Sequence, residues 1–137
     1  MIDHLGINCT DLAAAAAFYD RVLGVLGHKR MMDFGVAIGY GTNQPSFWLS
    51  AQPAEGPAAG GNREIHVAFT AADAATVRAF HDAAAEMGAE VLHAPRLWPE
   101  YHPNYYGAFV RDPDGNNVEA VCHSAGPDDE LTGSEAG

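Results

Sequence analysis

Cations are scarce in this chain. Of its 137 residues only 7 are Lys or Arg, against 18 Asp or Glu, a formal net charge of −11. Nucleic-acid backbones and anionic bilayer surfaces are both held by clustered cations, so neither is expected as a partner. Long apolar runs are missing as well. No stretch approaches the roughly 18 apolar residues of a membrane span. The N-terminus, MIDHLGINCTDL, lacks the basic start and apolar run of a secretory signal. Cysteine is limited to Cys9 and Cys122, each in or beside an expected strand. That usage fits two reduced thiols in a cytoplasmic protein better than a disulfide.

What is present is a patterned apolar content of 47 %, enough for one domain or for two small halves sharing a core. IDHLGIN alternates as a strand does, with Leu5 and Ile7 on one face and His4 and Asn8 on the other. TDLAAAAAFYDRVLGVLG follows as a helix, with Thr10 or Asp11 as its cap and Leu12, Ala15, Tyr19, Val22 and Leu26 as its apolar stripe. Three short strands come next: HKRMMDF, GVAIGY and SFWLS. AQPAEGPAAGGN has no periodicity and reads as a linker. Then the pattern begins again. REIHVAF is a strand, TAADAATVRAFHDAAAEMG a helix, and AEVLHA, YYGAFVR and NVEAVCH are strands. The loop PRLWPEYHPN and the turn DPDGN separate the last three.

This is an internal repeat of strand, helix and three strands. His4 and His66 open the same short pattern, HLGI and HVAF, and Trp48 and Glu119 occupy matching places in the two closing strands. The expected fold is α+β: two paired βαβββ modules forming a curved mixed sheet around a cavity, with the helices outside. Module one spans 1–51, a linker 52–62 and module two 63–123; the acidic tail 124–137 is expected to be disordered.

Strand phase selects the candidate site. Leu5 and Ile7 pack on the first helix, so His4 points away from it. Ile65, Val67 and Phe69 pack on the second helix, so His66 points away too. Val118, Ala120 and Cys122 form one face of the last strand, and Glu119 lies on the other with Asn117 and Val121. If the repeat is real, His4, His66 and Glu119 converge on one cavity. Two imidazoles and one carboxylate match the set that holds a divalent ion on one side and leaves the other side open. Ligand softness does not choose among Fe, Mn, Zn, Co and Ni. The plain alternative is a polar pocket in which His and Glu bond one another without metal.

The repeat, with DHLGIN, HVAF and YYGAFVRDPDGNNVEAV, resembles the vicinal oxygen chelate superfamily over roughly residues 1–123. That superfamily includes glyoxalase I, extradiol dioxygenases, and fosfomycin- and bleomycin-resistance proteins. The resemblance implies metal ligands at His4, His66 and Glu119, a homodimer, and a small-molecule substrate chelated through neighbouring oxygens. The fourth ligand place, an acid or amide in glyoxalase I, falls on Trp48, and indole ligates no metal. A three-ligand site fits the dioxygenases and the fosfomycin enzymes better. The dioxygenase signature matches in frame from His102 to Glu119, with Phe109 where it has a tyrosine. The fosfomycin pocket needs cations that this chain lacks. Glu119 and His102 are the candidate catalytic groups, with Phe47, Trp48, Tyr101, Tyr105 and Tyr106 as walls of the substrate cavity. Two readings follow: a metal-dependent lyase, isomerase or dioxygenase, and a non-catalytic protein that binds a small molecule such as an antibiotic. DPDGN is read as a turn that aims Glu119 inward.

Overall fold

A computed structural model describes residues 2–52 and 64–129. The first module runs β1 (Leu5–Cys9), α1 (Leu12–Val25), β2 (Lys29–Asp33), β3 (Ala37–Gly41) and β4 (Pro45–Ala51). The second runs β5 (His66–Thr70), α2 (Ala74–Glu86), β6 (Val91–Leu97), β7 (Tyr106–Arg111) and β8 (Asn117–Cys122). Most of the expected linker, and the tail from residue 130 onward, lie outside the described residues. Both helices start on an aspartate: Asp11 accepts from Ala14 N and Asp73 from Thr76 N, which satisfies donors that a helix start leaves unpaired. Gly27 follows the first helix at φ 89°, where any side chain is strained.

The strands form two four-stranded sheets, β1-β4-β3-β2 and β5-β8-β7-β6. In each, the first and last strands of the module pair in parallel and the other pairings are antiparallel. The two sheets share one core. Ile7, Leu49 and Tyr40 from the first and Val110, Val118 and Ala120 from the second belong to the same buried cluster, which includes both helices. Phe47 meets Phe69 edge-on, with ring centroids 5.2 Å apart. Each sheet thus turns its apolar face toward the shared core and leaves its other face open. Within one chain the curved sheet exists as these two halves, and β1 and β5 are edge strands.

The registers of the two halves superimpose as the repeat requires. Gly6, Trp48, Gly39 and Met32 form one cross-strand row in the first sheet. Ala68, Glu119, Phe109 and His93 form the corresponding row in the second. Trp48 and Glu119 are therefore structural equivalents.

The DPDGN turn does more than reverse the chain. Gly115 sits at φ 86°, as the turn demands. Asp112, buried, accepts from the backbone N–H groups of Asp114 and Asn116, from Asn116 Nδ2 and from the Tyr19 hydroxyl of α1 at 2.7 Å. Asp114 accepts from the backbone and hydroxyl of Thr10 at 2.9 and 2.7 Å. A turn of module two thus clamps the entry to the helix of module one.

Candidate functional site

Glu119 is the one buried acid on the open face of the second sheet among the described residues, with 1 % of its surface exposed. Strand alternation puts it there, because Val118 and Ala120 on either side are drawn into the core. Burying a carboxylate requires partners, and two are present. His66 Nε2 lies 3.0 Å from Oε1. The Tyr105 hydroxyl donates to Oε2. Burial, and then the hydrogen bond to Glu119, push the Tyr105 phenol well above its usual range, so it stays a neutral donor. Asn117, opposite His66 in the register, has a buried Oδ1 with no partner among the described residues.

Gly107 makes the arrangement possible. A Cβ on it would come within 3.1 Å of Glu119 Oε2 and 3.3 Å of the Tyr105 ring. Its carbonyl accepts from Trp98 Nε1 at 3.0 Å, which ties the 98–105 loop to the sheet. Arg96 covers the Trp98 ring at 3.4 Å. Phe109 lies between His66, near-parallel at 5.9 Å, and His93, edge-on at 5.4 Å. His102 Nε2 is 2.9 Å from His123 Nδ1, and its Nδ1 accepts from Asn104 N–H. Both nitrogens of His102 are therefore used to hold the loop against the segment after β8.

Two of the expected cavity walls lie elsewhere. Phe47 is 4 % exposed and Tyr106 fully buried; both face the core, because each neighbours a residue, Trp48 or Tyr105, that takes the open face. Tyr101 is largely exposed and stacks on Trp98 at 5.8 Å. His4 lies on the open side of the first sheet, bonded to Asp3 at 2.7 Å, beside a shallow depression of about 610 Å³ that Trp48 also lines. The Trp48 indole lies flat over Gly39, where a Cβ would come within 2.9 Å of its ring carbons. The convergence of His4 with His66 and Glu119 does not occur within one chain. Among the described residues no group of three His, Cys, Asp or Glu side chains is placed to hold a metal ion. The reason is topological, since each module closes its own sheet.

The pair that is assembled nevertheless suits a divalent ion. Donors about 2.1 Å from one ion on adjacent octahedral corners are about 3 Å apart, and His66 Nε2 and Glu119 Oε1 are 3.0 Å apart.

Sequence reasoning leaves the phase of His93 open and misses Gly107. Pro95 and the register shifts of the edge strand β6 blur the phase of His93. A glycine inside a strand pattern was the available signal for Gly107.

Comparison with known proteins gives a consistent result. Residues 1–120 match the family model of the Glyoxalase/Bleomycin resistance protein/Dioxygenase superfamily. No functionally curated protein matches the sequence. Among solved structures, the chain is similar to a glyoxalase/bleomycin resistance protein from Albidiferax ferrireducens T118, at 27 % identity and TM-score 0.75, covering 86 % of this chain and 95 % of that one. It is also similar to a lactoylglutathione lyase from Agrobacterium tumefaciens, at 25 % identity and TM-score 0.65, covering 88 % and 92 %. A glyoxalase/dioxygenase from Nostoc punctiforme shares the fold at 21 % identity and TM-score 0.65, covering 90 % of each chain.

Proposed function

The chain belongs to the Glyoxalase/Bleomycin resistance protein/Dioxygenase superfamily, and from that premise we propose that it is a metal-dependent, cytoplasmic enzyme acting on a small molecule. In this reading His66 and Glu119 of one chain and His4 of a second copy hold the ion. The observation that carries it is the His66–Glu119 pair: a buried carboxylate and a half-exposed imidazole, 3.0 Å apart on an open sheet face. Homodimerisation is supported by the place of β1 and β5 at the sheet edges among the described residues and by exposed apolar side chains, Met32, Phe34 and Val36, near the first sheet's open face. Two unpaired buried thiols, Cys9 and Cys122, fit a reducing compartment.

A divalent ion held there would supply Lewis-acid chemistry toward two neighbouring oxygens of a substrate. The protein's own groups do the rest. Phe109 braces His66, the Trp98 loop limits water at one side, and Tyr105 fixes the Glu119 carboxylate. His102 acts on the loop, because both of its nitrogens are engaged. The likeness to a lactoylglutathione lyase favours proton-transfer chemistry. Trp48 in the place of a second carboxylate argues against that substrate and leaves three-ligand dioxygenase chemistry as the companion reading.

A second reading has its own observation. Tyr105 and His66 satisfy Glu119 without an ion, which suits a non-catalytic pocket that sequesters a cationic antibiotic, in keeping with the net charge of −11. Metal analysis of protein purified without a metal-binding tag separates the two. The enzyme reading expects near-stoichiometric metal that His66→Ala abolishes. Absence of metal in the wild-type protein, together with ligand binding unchanged in His66→Ala, overturns it.

A further inference from the structure

Glu119 has two oxygens, and the fold treats them differently. Oε1 faces His66, which is half exposed. Oε2 faces the Tyr105 hydroxyl under the backbone of β7. Tyr105 is not a freely swinging side chain. Its ring meets Tyr101 at 4.9 Å, His102 at 5.4 Å and His123 at 5.3 Å, all near edge-on. The His102–His123 bond and the Asn104 Nδ2 bond to the Ala125 carbonyl at 2.8 Å hold that loop in turn. The missing Cβ of Gly107 provides the room in which hydroxyl and carboxylate meet. Three separate features thus converge on one oxygen of one residue.

We propose that Tyr105 is the positioning residue of the metal centre: its hydroxyl occupies Glu119 Oε2 and restricts the carboxylate to one-oxygen coordination through Oε1. The inference rests on the metal reading above and adds to it a division of labour. Glu119 serves as a fixed ligand, and its second oxygen is withheld from both the ion and substrate protons. Hydrogen bonds that orient a ligating carboxylate typically change metal affinity by about 10- to 100-fold. Tyr105 supplies such a bond from a loop, four residues ahead of Phe109, where the dioxygenase-like frame lacks its tyrosine.

The test is Co(II) binding by the full-length protein, followed by titration and by the visible absorption of the bound ion, with wild type, Tyr105→Phe and Gly107→Ala compared. Tyr105→Phe keeps the ring and its packing and removes only the hydroxyl. We expect Co(II) affinity to fall about 10- to 100-fold, with an altered absorption band as the carboxylate becomes free to bind through both oxygens. Gly107→Ala keeps the hydroxyl and crowds the same oxygen, and is expected to shift the band as well. Wild-type binding with affinity and spectrum unchanged in Tyr105→Phe overturns the role of Tyr105 while leaving the metal centre standing. A wild-type protein that takes up no Co(II) overturns the metal reading and this inference together.

Discussion

The two modules are built on one register and differ at the row that matters. In the first, Gly6, Trp48, Gly39 and Met32 make a flat apolar surface with an indole lying on a glycine. In the second, Ala68, Glu119, Phe109 and His93 place an acid and two imidazoles (with His66) on the equivalent surface. The same backbone therefore presents an apolar platform in one half and a polar half-site in the other. His4, bonded to Asp3, lies beside Trp48 on the platform side. One row of side chains thus distinguishes two halves built on one register.

Matched substitutions test what each row contributes. The largest effect is expected at Glu119. Glu119→Gln keeps the shape, removes the charge, and should weaken metal binding by at least about a hundredfold, beyond the range seen for outer-shell partners. The fold should survive, since an amide can still accept from Tyr105. Next is the clamp between the modules. Asp112 accepts four hydrogen bonds while buried, so Asp112→Ala should cost about 3 kcal/mol or more in denaturant unfolding. Tyr19→Phe, which leaves one of the four unmade, should cost about 2 kcal/mol, a Tm drop of about 8 °C by calorimetry. Trp48→Glu tests the platform row. It restores a carboxylate to the platform row and should raise metal affinity about tenfold if the two halves meet across a dimer.

The smallest effect concerns pH. Burial, then the nearby Asp114 and Asp112 carboxylates, push the Cys9 thiol up to about 12 from 9.0. The folded state holds that proton more tightly than the unfolded chain does. Its stabilising contribution is therefore complete below about pH 9 and is lost as pH rises toward 12. Cys9→Ala should flatten the alkaline fall in Tm, and an unchanged slope would show that another group sets it.

Much of this was legible in the sequence, and the reasons differ by residue. His66 and Glu119 share a face because strand alternation has period two and their apolar neighbours were unambiguous. The equivalence of Trp48 and Glu119 followed from the repeat, and the registers bear it out. Phe47 and Trp48, like Tyr105 and Tyr106, are neighbours in the chain. Adjacent strand residues face opposite ways, so only Trp48 and Tyr105 can reach the open face. The separation of His4 from His66 within one chain was beyond local pattern. It depends on which sheet edges associate, and that is fixed by long-range pairing. The turn DPDGN read correctly as a turn, but its hold on Tyr19 and Thr10 links residues that are distant in sequence.

In the proposed arrangement one metal site is shared between two chains. His4→Ala and His66→Ala proteins should each bind no metal alone. In a symmetric dimer with shared sites, a mixed dimer of the two contains one site with every ligand intact and one with both histidines missing. After subunit exchange of equal amounts, metal binding should therefore return to about a quarter of the wild-type level. No recovery in a mixture shown to contain mixed dimers would rule out a shared site.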